Sequence, residues 1–228
     1  MGSPGQQLLR AVLRLFFEKL YTTFAWTYDL VAWMSSMGQW RVWQSAALED
    51  LPEGDVLEIG HGTGHLLLKL MRLDRNAFGI DTSQQMTRIA AKRLHRNGYY
   101  PHIIRSKAQQ LPFPSKHFSV ILSAFPSTYI FDPSTLSEAY RVLQSNGVFI
   151  IVGNVQITGR GLHDRFAAWL YRVTGQAGEI TEGWDQPFLD QGFSAHLEQV
   201  AQQRAIVLRV VARKDEVRES FAPCATEA

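Results

Sequence analysis

The sequence predicts an α/β domain organised around a parallel β-sheet. After residue 50, short apolar runs alternate with segments of helical periodicity, a pattern typical of parallel strands joined by helices. The apolar run at residues 55–60 leads into glycines at every second position, which indicates a buried strand that turns sharply into a helix. A length of 228 residues and an apolar content of 46% suit one large domain with a substantial core.

The individual elements follow from local signals along the chain. The predicted strands are the apolar runs at residues 55–60, 77–81, 102–105, 118–124 and 147–153. The predicted helices are the segments at residues 64–73, 84–97, 134–144, 161–174 and 185–191. Thr82 or Ser83 can cap the second helix, and Asn97 with Gly98 stops it. Pro133 favours the start of the third helix.

The last part of the chain is predicted to form a β-hairpin. Residues 194–201 and 205–212 are both capable of forming strands, with a polar turn between them. The polar residues from Lys214 onward are predicted to be disordered. The expected organisation is an amino-terminal helical cap at 1–45, one ligand-binding domain at 46–213 and a flexible tail at 214–228.

The segment at residues 8–34 carries apolar side chains at helical spacing, followed by several aromatic residues. Charged residues interrupt it too often for a membrane span. We expect this segment to be a helical cap packed on the domain and over the active site. Peripheral contact with a membrane surface stays open as the alternative.

Composition excludes several classes of partner. The formal charge of +2 and the lack of a basic stretch interleaved with aromatic residues argue against nucleic-acid binding. A single cysteine, Cys224, fits a reducing cytoplasm. The scattered histidines do not have the spacing of metal ligands, so no metal is expected.

The most informative feature is the first glycine-rich turn together with an acidic residue on the next strand. Glu58 precedes the alternate glycines, and Asp81 closes the following apolar run. Two carboxylates at the carboxyl ends of adjacent parallel strands suit a ligand that has vicinal hydroxyls and a positive charge, such as an adenosyl sulfonium. A dinucleotide fingerprint would need its third glycine at the position of His65, so nicotinamide-dependent oxidation is the weaker alternative.

Four motifs in order resemble those of the class I S-adenosylmethionine-dependent methyltransferases. They are Glu58-x-Gly60-x-Gly62-x-Gly64, Asp81 within Gly-Ile-Asp-Thr-Ser, Leu111-Pro112-Phe113, and the run Tyr140-Arg141-Val142-Leu143-Gln144-Ser145-Asn146-Gly147. Within this class, the chain is most similar to the branch of ubiquinone/menaquinone-biosynthesis methyltransferases, over about residues 28–152. The resemblance implies a Rossmann-like, seven-stranded, mostly parallel sheet with helices on both faces and an antiparallel last strand.

The resemblance also implies a cofactor, S-adenosyl-L-methionine, and a set of residues that bind it. The glycine loop is expected to wrap the methionine portion, and Asp81 is expected to accept the ribose hydroxyls. The predicted cofactor-binding residues are Tyr28, Glu58, Gly60, His61, Gly62, Thr63, Gly64, Asp81, Thr82, Met86, Ala108, Gln109, Ser123 and Ala124. One position departs from the pattern, because Lys107 stands where relatives usually carry an acid that accepts a hydrogen bond from the adenine. Gln109 or the backbone near it is expected to substitute.

The chemistry needs few protein groups, because the cofactor supplies an activated methyl group. His61 and His163 are the candidates for an acid or base. Phe125, Tyr129 and Trp184, with Trp169 and Tyr171, are the candidates to line an acceptor pocket.

The sequence therefore predicts methyl transfer to a small acceptor that is largely apolar or aromatic, such as a quinone precursor, a secondary metabolite or a lipid headgroup. A cofactor-binding protein that transfers no methyl group stays open as the alternative, because a fold does not fix a function.

Overall fold

A seven-stranded sheet forms the centre of the protein. The computed structural model describes residues 39–159, 161, 183–202 and 204–215. The strands are β1 (Val56–Ile59), β2 (Ala77–Asp81), β3 (His102–Arg105), β4 (Phe118–Ala124), β5 (Leu143–Ile157), β6 (Phe193–Gln202) and β7 (Ala205–Lys214). Their order in the sheet is β3-β2-β1-β4-β5-β7-β6. Strands β1 to β5 are parallel, and β7 is antiparallel to both of its neighbours, as predicted.

Helices pack on both faces of this sheet. They are α1 (Trp40–Gln44), α2 (His65–Arg72), α3 (Gln84–Arg96), α4 (Pro133–Val142) and α5 (Gln186–Leu189), with 3₁₀ turns at Ser45–Leu48 and Thr128–Phe131. One apolar core includes buried side chains of α1, α2 and α3 with Val56 of β1. The other includes buried side chains of α4 and α5 with Leu57 and Ile59 of the same strand. Because successive side chains of a strand point to opposite faces, one apolar strand contributes to both cores.

The strand order places the carboxyl ends of β1, β2 and β4 side by side. After β1 the chain adds β2 and β3 on one side and then crosses to add β4 on the other. Ligands of such sheets bind at this reversal of strand order, outside the carboxyl ends of the strands.

The predicted strand at residues 147–153 is too short. Strand β5 begins at Leu143, which pairs with Phe118, and continues to Ile157 because antiparallel pairing with β7 extends its far end. Because Leu143 already pairs with Phe118 in the sheet, α4 ends at Val142 instead of residue 144.

The predicted start of the flexible tail is also wrong by one residue. Lys214 is the last residue of β7 and is buried. Its ammonium group donates to the carbonyl oxygens of Tyr140 (2.6 Å) and Leu143 (2.8 Å) at the end of α4, where helix carbonyls lack intrahelical partners. The amino-terminal cap before residue 39 and most of the predicted helix at 161–174 lie outside the described residues.

Candidate active site

The three glycines after β1 all have left-handed backbone conformations, but their α-carbons face different surroundings. Their φ angles are 75°, 50° and 76° for Gly60, Gly62 and Gly64. A β-carbon on Gly60 would lie 2.5 Å from the hydroxyl of Tyr129, and one on Gly64 would lie 2.8 Å from the β-carbon of Ala90 on α3. A β-carbon on Gly62 would meet nothing within 4 Å. Only Gly62 therefore turns its bare α-carbon to open space, where a ligand can approach the backbone.

Asp81 links the glycine loop to the start of α3. One carboxylate oxygen accepts the amide of Gly62 (2.9 Å), and the other accepts the amide of Ser83 (2.8 Å). The Ser83 hydroxyl then caps α3 by accepting the amide of Met86 (3.3 Å). Because a carboxylate has about four acceptor positions, Asp81 keeps capacity for hydroxyl groups of a ligand.

Glu58 is buried beneath the loop and does not line an open space. The exposed fraction of this residue is 2%, and one of its oxygens has no hydrogen-bond partner in the described part of the chain. Burial, with the charge of Asp81, raises the pKa of Glu58 well above its ordinary value, although a hydrogen bond from the Leu67 backbone acts in the opposite direction. The raised pKa favours the protonated acid, and the burial of Glu58 outside the crevice corrects the prediction that it contacts the cofactor directly.

A crevice of about 1280 Å³ opens at the carboxyl ends of β1, β2 and β4. Ten of the predicted site residues line it: Gly60, Gly62, Asp81, Thr82, Met86, Ala108, Gln109, Ala124, Phe125 and Tyr129. They come from five separate stretches of the chain, and the sheet topology brings them together. The volume is sufficient for a large organic ligand.

Several predicted residues lie near the crevice without lining it. The Ser123 hydroxyl is buried and donates to the Ile59 carbonyl (2.8 Å), so it links β4 to β1 and is not available to the cofactor. Thr63 is buried, and its carbonyl accepts a hydrogen bond from Arg93. Gly64 packs on Ala90, as described above. The prediction that these three residues contact the cofactor directly is therefore corrected, because each of them contacts neighbouring protein atoms instead.

Two further predictions for this region are also corrected. His61 is 4% exposed, and its ring lies against Gly79 and does not line the crevice, so the structure does not support a role as the acid or base of the reaction. Trp184 packs on the second core, with its ring 6.3 Å from that of Phe188, and does not line the acceptor pocket. The other predicted residues, Tyr28, His163, Trp169 and Tyr171, lie outside the described residues.

Sequence analysis missed the polar wall of the crevice. Its additional lining residues are Ser83, Gln84, Gln85, Arg88, Arg105 and Ser106. Lys107, the position that departs from the family pattern, also lines this wall. The spacing of Gln84, Gln85 and Arg88 on one face of α3 is a signal that could have indicated them.

Phe125 has a backbone conformation that marks the end of β4 as unusual. Its φ is 54°, a left-handed value that is rare for a bulky residue. Its amide donates to the Val152 carbonyl on β5 (2.6 Å), which holds the strained turn in place. Strained residues of this kind concentrate at functional sites, and Phe125 lines the crevice.

The loop that carries Ala108 and Gln109 is anchored from α4. Glu138 accepts the amide of Leu111 (2.7 Å), and Arg141 donates to the carbonyls of Leu111 (3.0 Å) and Phe113 (2.8 Å). The two side chains also pair with each other at 2.7 Å, and the hydrogen bond from Arg141 lowers the pKa of Glu138. The sequence motifs around Leu111 and Arg141 therefore meet in space.

The chain matches the family described as methyltransferase domain over residues 57–151. It is 26% identical over 177 residues to the ubiquinone/menaquinone biosynthesis C-methyltransferase UbiE of Rickettsia bellii. The aligned region covers 73% of this chain and 71% of the relative. These sequence matches indicate an S-adenosylmethionine-dependent methyltransferase. This assignment replaces the nicotinamide-dependent alternative.

Solved structures show the same fold as this methyltransferase. A geranyl diphosphate methyltransferase in complex with S-adenosylmethionine has a TM-score of 0.58 at 12% identity, covering 76% of this chain and 85% of that one. The [4+2]-cyclase SpnF has a TM-score of 0.57 at 16% identity, covering 78% and 82%. The second protein is named as a cyclase, so the scaffold alone does not identify the reaction.

The residues of the methyltransferase crevice fit its cofactor. Gly62 offers a bare α-carbon toward open space, and Asp81 beside it keeps free acceptor capacity for a pair of hydroxyls.

Within residues 39–159, 161, 183–202 and 204–215, no group of His, Cys, Asp and Glu side chains could hold a metal ion. Across the same residues, no helix has both the length and the apolar character required to cross a bilayer.

Proposed function

We propose that this methyltransferase acts on a small acceptor that is largely apolar or aromatic, such as a quinone precursor, a secondary metabolite or a lipid headgroup. The observation that carries the proposal is the aromatic wall of the crevice on the side of β4. Phe125 follows Ala124 at the end of that strand, and its ring lies 4.2 Å from the ring of Trp40. Tyr129 continues this wall to Gly60.

The two ends of the crevice differ in character. The end near β2 and β3 presents Asp81 with the polar side chains of α3, which suits a ribose and a base. The end near β4 presents flat aromatic side chains, which bury large apolar areas and pack well against another ring. This division supports a polar cofactor at one end and an apolar acceptor at the other. The Rickettsia relative, named as a C-methyltransferase of ubiquinone and menaquinone biosynthesis, points to the same class of acceptor.

The work of the protein in this proposal is to position the reactants and to exclude water. S-adenosylmethionine supplies a strongly activated methyl group when it is bound. The glycine loop and Asp81 would hold the amino acid and ribose portions, while Phe125 and Tyr129 would orient the acceptor in line with the methyl group. The Tyr129 hydroxyl, close to Gly60, is a polar group within this aromatic wall that could hydrogen-bond the acceptor.

Recognition of the base would rest on groups other than a carboxylate. Lys107 can only donate hydrogen bonds, so it cannot accept one from the adenine amino group. Gln109 lines the crevice beside it and carries a carbonyl acceptor. We assign this acceptor role to Gln109 and to the backbone at Ala108.

The proposal is tested by methyl transfer from labelled S-adenosylmethionine to a panel of acceptors. The panel contains prenylated quinol precursors, aromatic metabolites, phospholipid amines and small polar amines. We expect transfer to an apolar or aromatic member, and Phe125→Ala should raise its KM roughly tenfold because a buried aromatic contact is lost. Leu189→Ala is the matched control, since Leu189 is an exposed apolar residue outside the crevice.

Transfer only to small polar amines, with Phe125→Ala unchanged, would contradict the acceptor class. Transfer to no member of the panel, with cofactor binding intact, would favour a protein that binds S-adenosylmethionine without using it.

A further inference from the structure

The imidazole of His61 fills a niche that exists because residue 79 is a glycine. A β-carbon on Gly79 would lie 3.0 Å from Cδ2 of His61 and 2.7 Å from Cδ1 of Leu67. Gly79 pairs with Glu58 across the two strands, and the Leu67 amide hydrogen-bonds that glutamate. Glycine at position 79 of β2 therefore leaves the room that the His61 ring occupies.

The ring holds the carbonyl of the next residue. Nδ1 of His61 lies 2.9 Å from the Gly62 oxygen. A carbonyl can only accept, so Nδ1 carries the proton. Nε2 is buried and has no hydrogen-bond partner among the described residues, which agrees with an unprotonated nitrogen. The ring is thus a neutral Nδ1–H tautomer. Burial lowers the pKa of His61 below its ordinary value, which also favours the neutral ring.

Both polar backbone groups of Gly62 are therefore held by side chains. Asp81 accepts its amide at 2.9 Å, and His61 donates to its carbonyl at 2.9 Å. Because His61 is buried and does not line the crevice, the group that holds the Gly62 carbonyl lies inside the protein. The face that remains open is the bare α-carbon of Gly62.

We propose that His61 is a positioning residue for the cofactor, which fixes the Gly62 peptide in the orientation that receives the ligand. The role is distinct from acid–base catalysis, since the ring does not reach the crevice. It rests on the binding of S-adenosylmethionine at this loop and not on the identity of the acceptor. Asp81 and Glu58 are the ionisable groups that face this arrangement from β2 and β1, and Arg93 on α3 holds the Thr63 carbonyl beyond it.

The test measures binding of S-adenosylhomocysteine by calorimetry in matched variants. His61→Asn keeps a donor close to the position of Nδ1 and should bind within about threefold of the wild type. His61→Leu has a similar size without a donor and should bind three- to tenfold more weakly, the effect expected for one neutral hydrogen bond. Gly79→Ala should weaken binding to the same extent, because its β-carbon displaces the His61 ring.

Gly153→Ala is the control for a glycine replacement, since Gly153 has open space around it, no left-handed φ and no contact with the crevice. Long-range ¹H–¹⁵N NMR of the wild type should show the Nδ1–H tautomer for His61. Equal binding by His61→Leu and wild type, or an Nε2–H tautomer, would overturn the proposal. Absence of binding by the wild type itself would instead contradict the cofactor assignment, so the two failures are distinguishable.

Discussion

At the residue scale, the most important side chain of the crevice has two functions. Asp81 binds two backbone amides of its own chain, and it faces the crevice where a ribose is expected. The hydrogen bonds from the Gly62 and Ser83 amides fix the Asp81 carboxylate between the glycine loop and α3. Its remaining acceptor positions are therefore held in a defined direction. Pre-organisation of this kind reduces the entropy lost when a ligand binds.

Asp81→Ala is expected to weaken the binding of S-adenosylhomocysteine by roughly 10- to 100-fold, because hydrogen bonds to a charged group contribute about 1.5–3 kcal/mol. Calorimetry measures the change, and thermal unfolding checks that the variant is folded. Asp190→Ala is the control, since Asp190 is an exposed carboxylate that accepts a hydrogen bond from Gln186 of α5 and lies outside the crevice. Equal affinity of Asp81→Ala and the wild type would show that the ribose does not bind there.

A second prediction at this scale concerns the pH dependence of stability. The pKa of Glu58 is raised in the folded protein, so its contribution to stability is fully present below the ordinary glutamate pKa and is lost as pH rises toward the folded value. Glu58→Gln has the shape of the protonated acid and does not ionise. We expect the free energy of unfolding of the wild type, relative to Glu58→Gln, to decrease as pH rises above about 4.5. Urea unfolding of both proteins across pH measures this relative free energy. An increase in the relative stability of the wild type as pH rises would show that Glu58 is ionised in the folded protein.

At the scale of elements, the start of α2 is defined by its contact with α3. Gly64 is the left-handed residue before α2, and Ala90 lies at closest approach on the neighbouring helix. The contact brings α2 close to α3, while the residues before Gly64 form the loop that lines the crevice. The third glycine of the motif is therefore explained by the packing of two helices, whereas at Gly62 the left-handed φ and the expected approach of a ligand favour glycine.

Gly64→Ala should reduce the free energy of unfolding by about 1–3 kcal/mol, through overpacking against Ala90 and through a left-handed φ that alanine disfavours. Adding Ala90→Gly should restore part of the loss, although glycine within α3 has its own cost of about 1 kcal/mol. Chemical unfolding of the two single variants and the double variant measures the interaction between them. If the two effects simply add, close packing is not the reason for this glycine.

At the scale of the whole molecule, one sheet separates two apolar cores and brings the site residues to a single edge. The order β3-β2-β1-β4-β5-β7-β6 puts the glycine loop next to Asp81 on one side and next to Phe125 on the other. These neighbours are far apart in sequence, and the crossover from β3 to β4 is what makes them adjacent. The similar fold of the cyclase SpnF shows that such a sheet does not by itself set the reaction.

The resemblance to a known family indicated the cofactor class, whereas the sequence by itself determined the approximate positions of the strands, the glycine turn and the acid at the end of β2. These features depend on local periodicity and on residue types with restricted roles, such as glycine in left-handed turns, so they can be recognised without distant contacts. The extent of β5 was not recognisable in this way, because pairing with β7 decides it. The buried end of β7 at Lys214 depends equally on the distant carbonyls of α4.

Only the tertiary structure decided which of the predicted residues face the crevice. His61, Ser123 and Gly64 lie in the correct segments, yet their side chains or α-carbons face Gly79, Ile59 and Ala90 instead of the crevice. The direction of a side chain in a turn depends on the neighbour that fills the adjacent space, and that neighbour comes from another element of the fold. The polar wall formed by α3 and the end of β3 arises in the same way, because two segments that are separate in sequence meet beside Asp81.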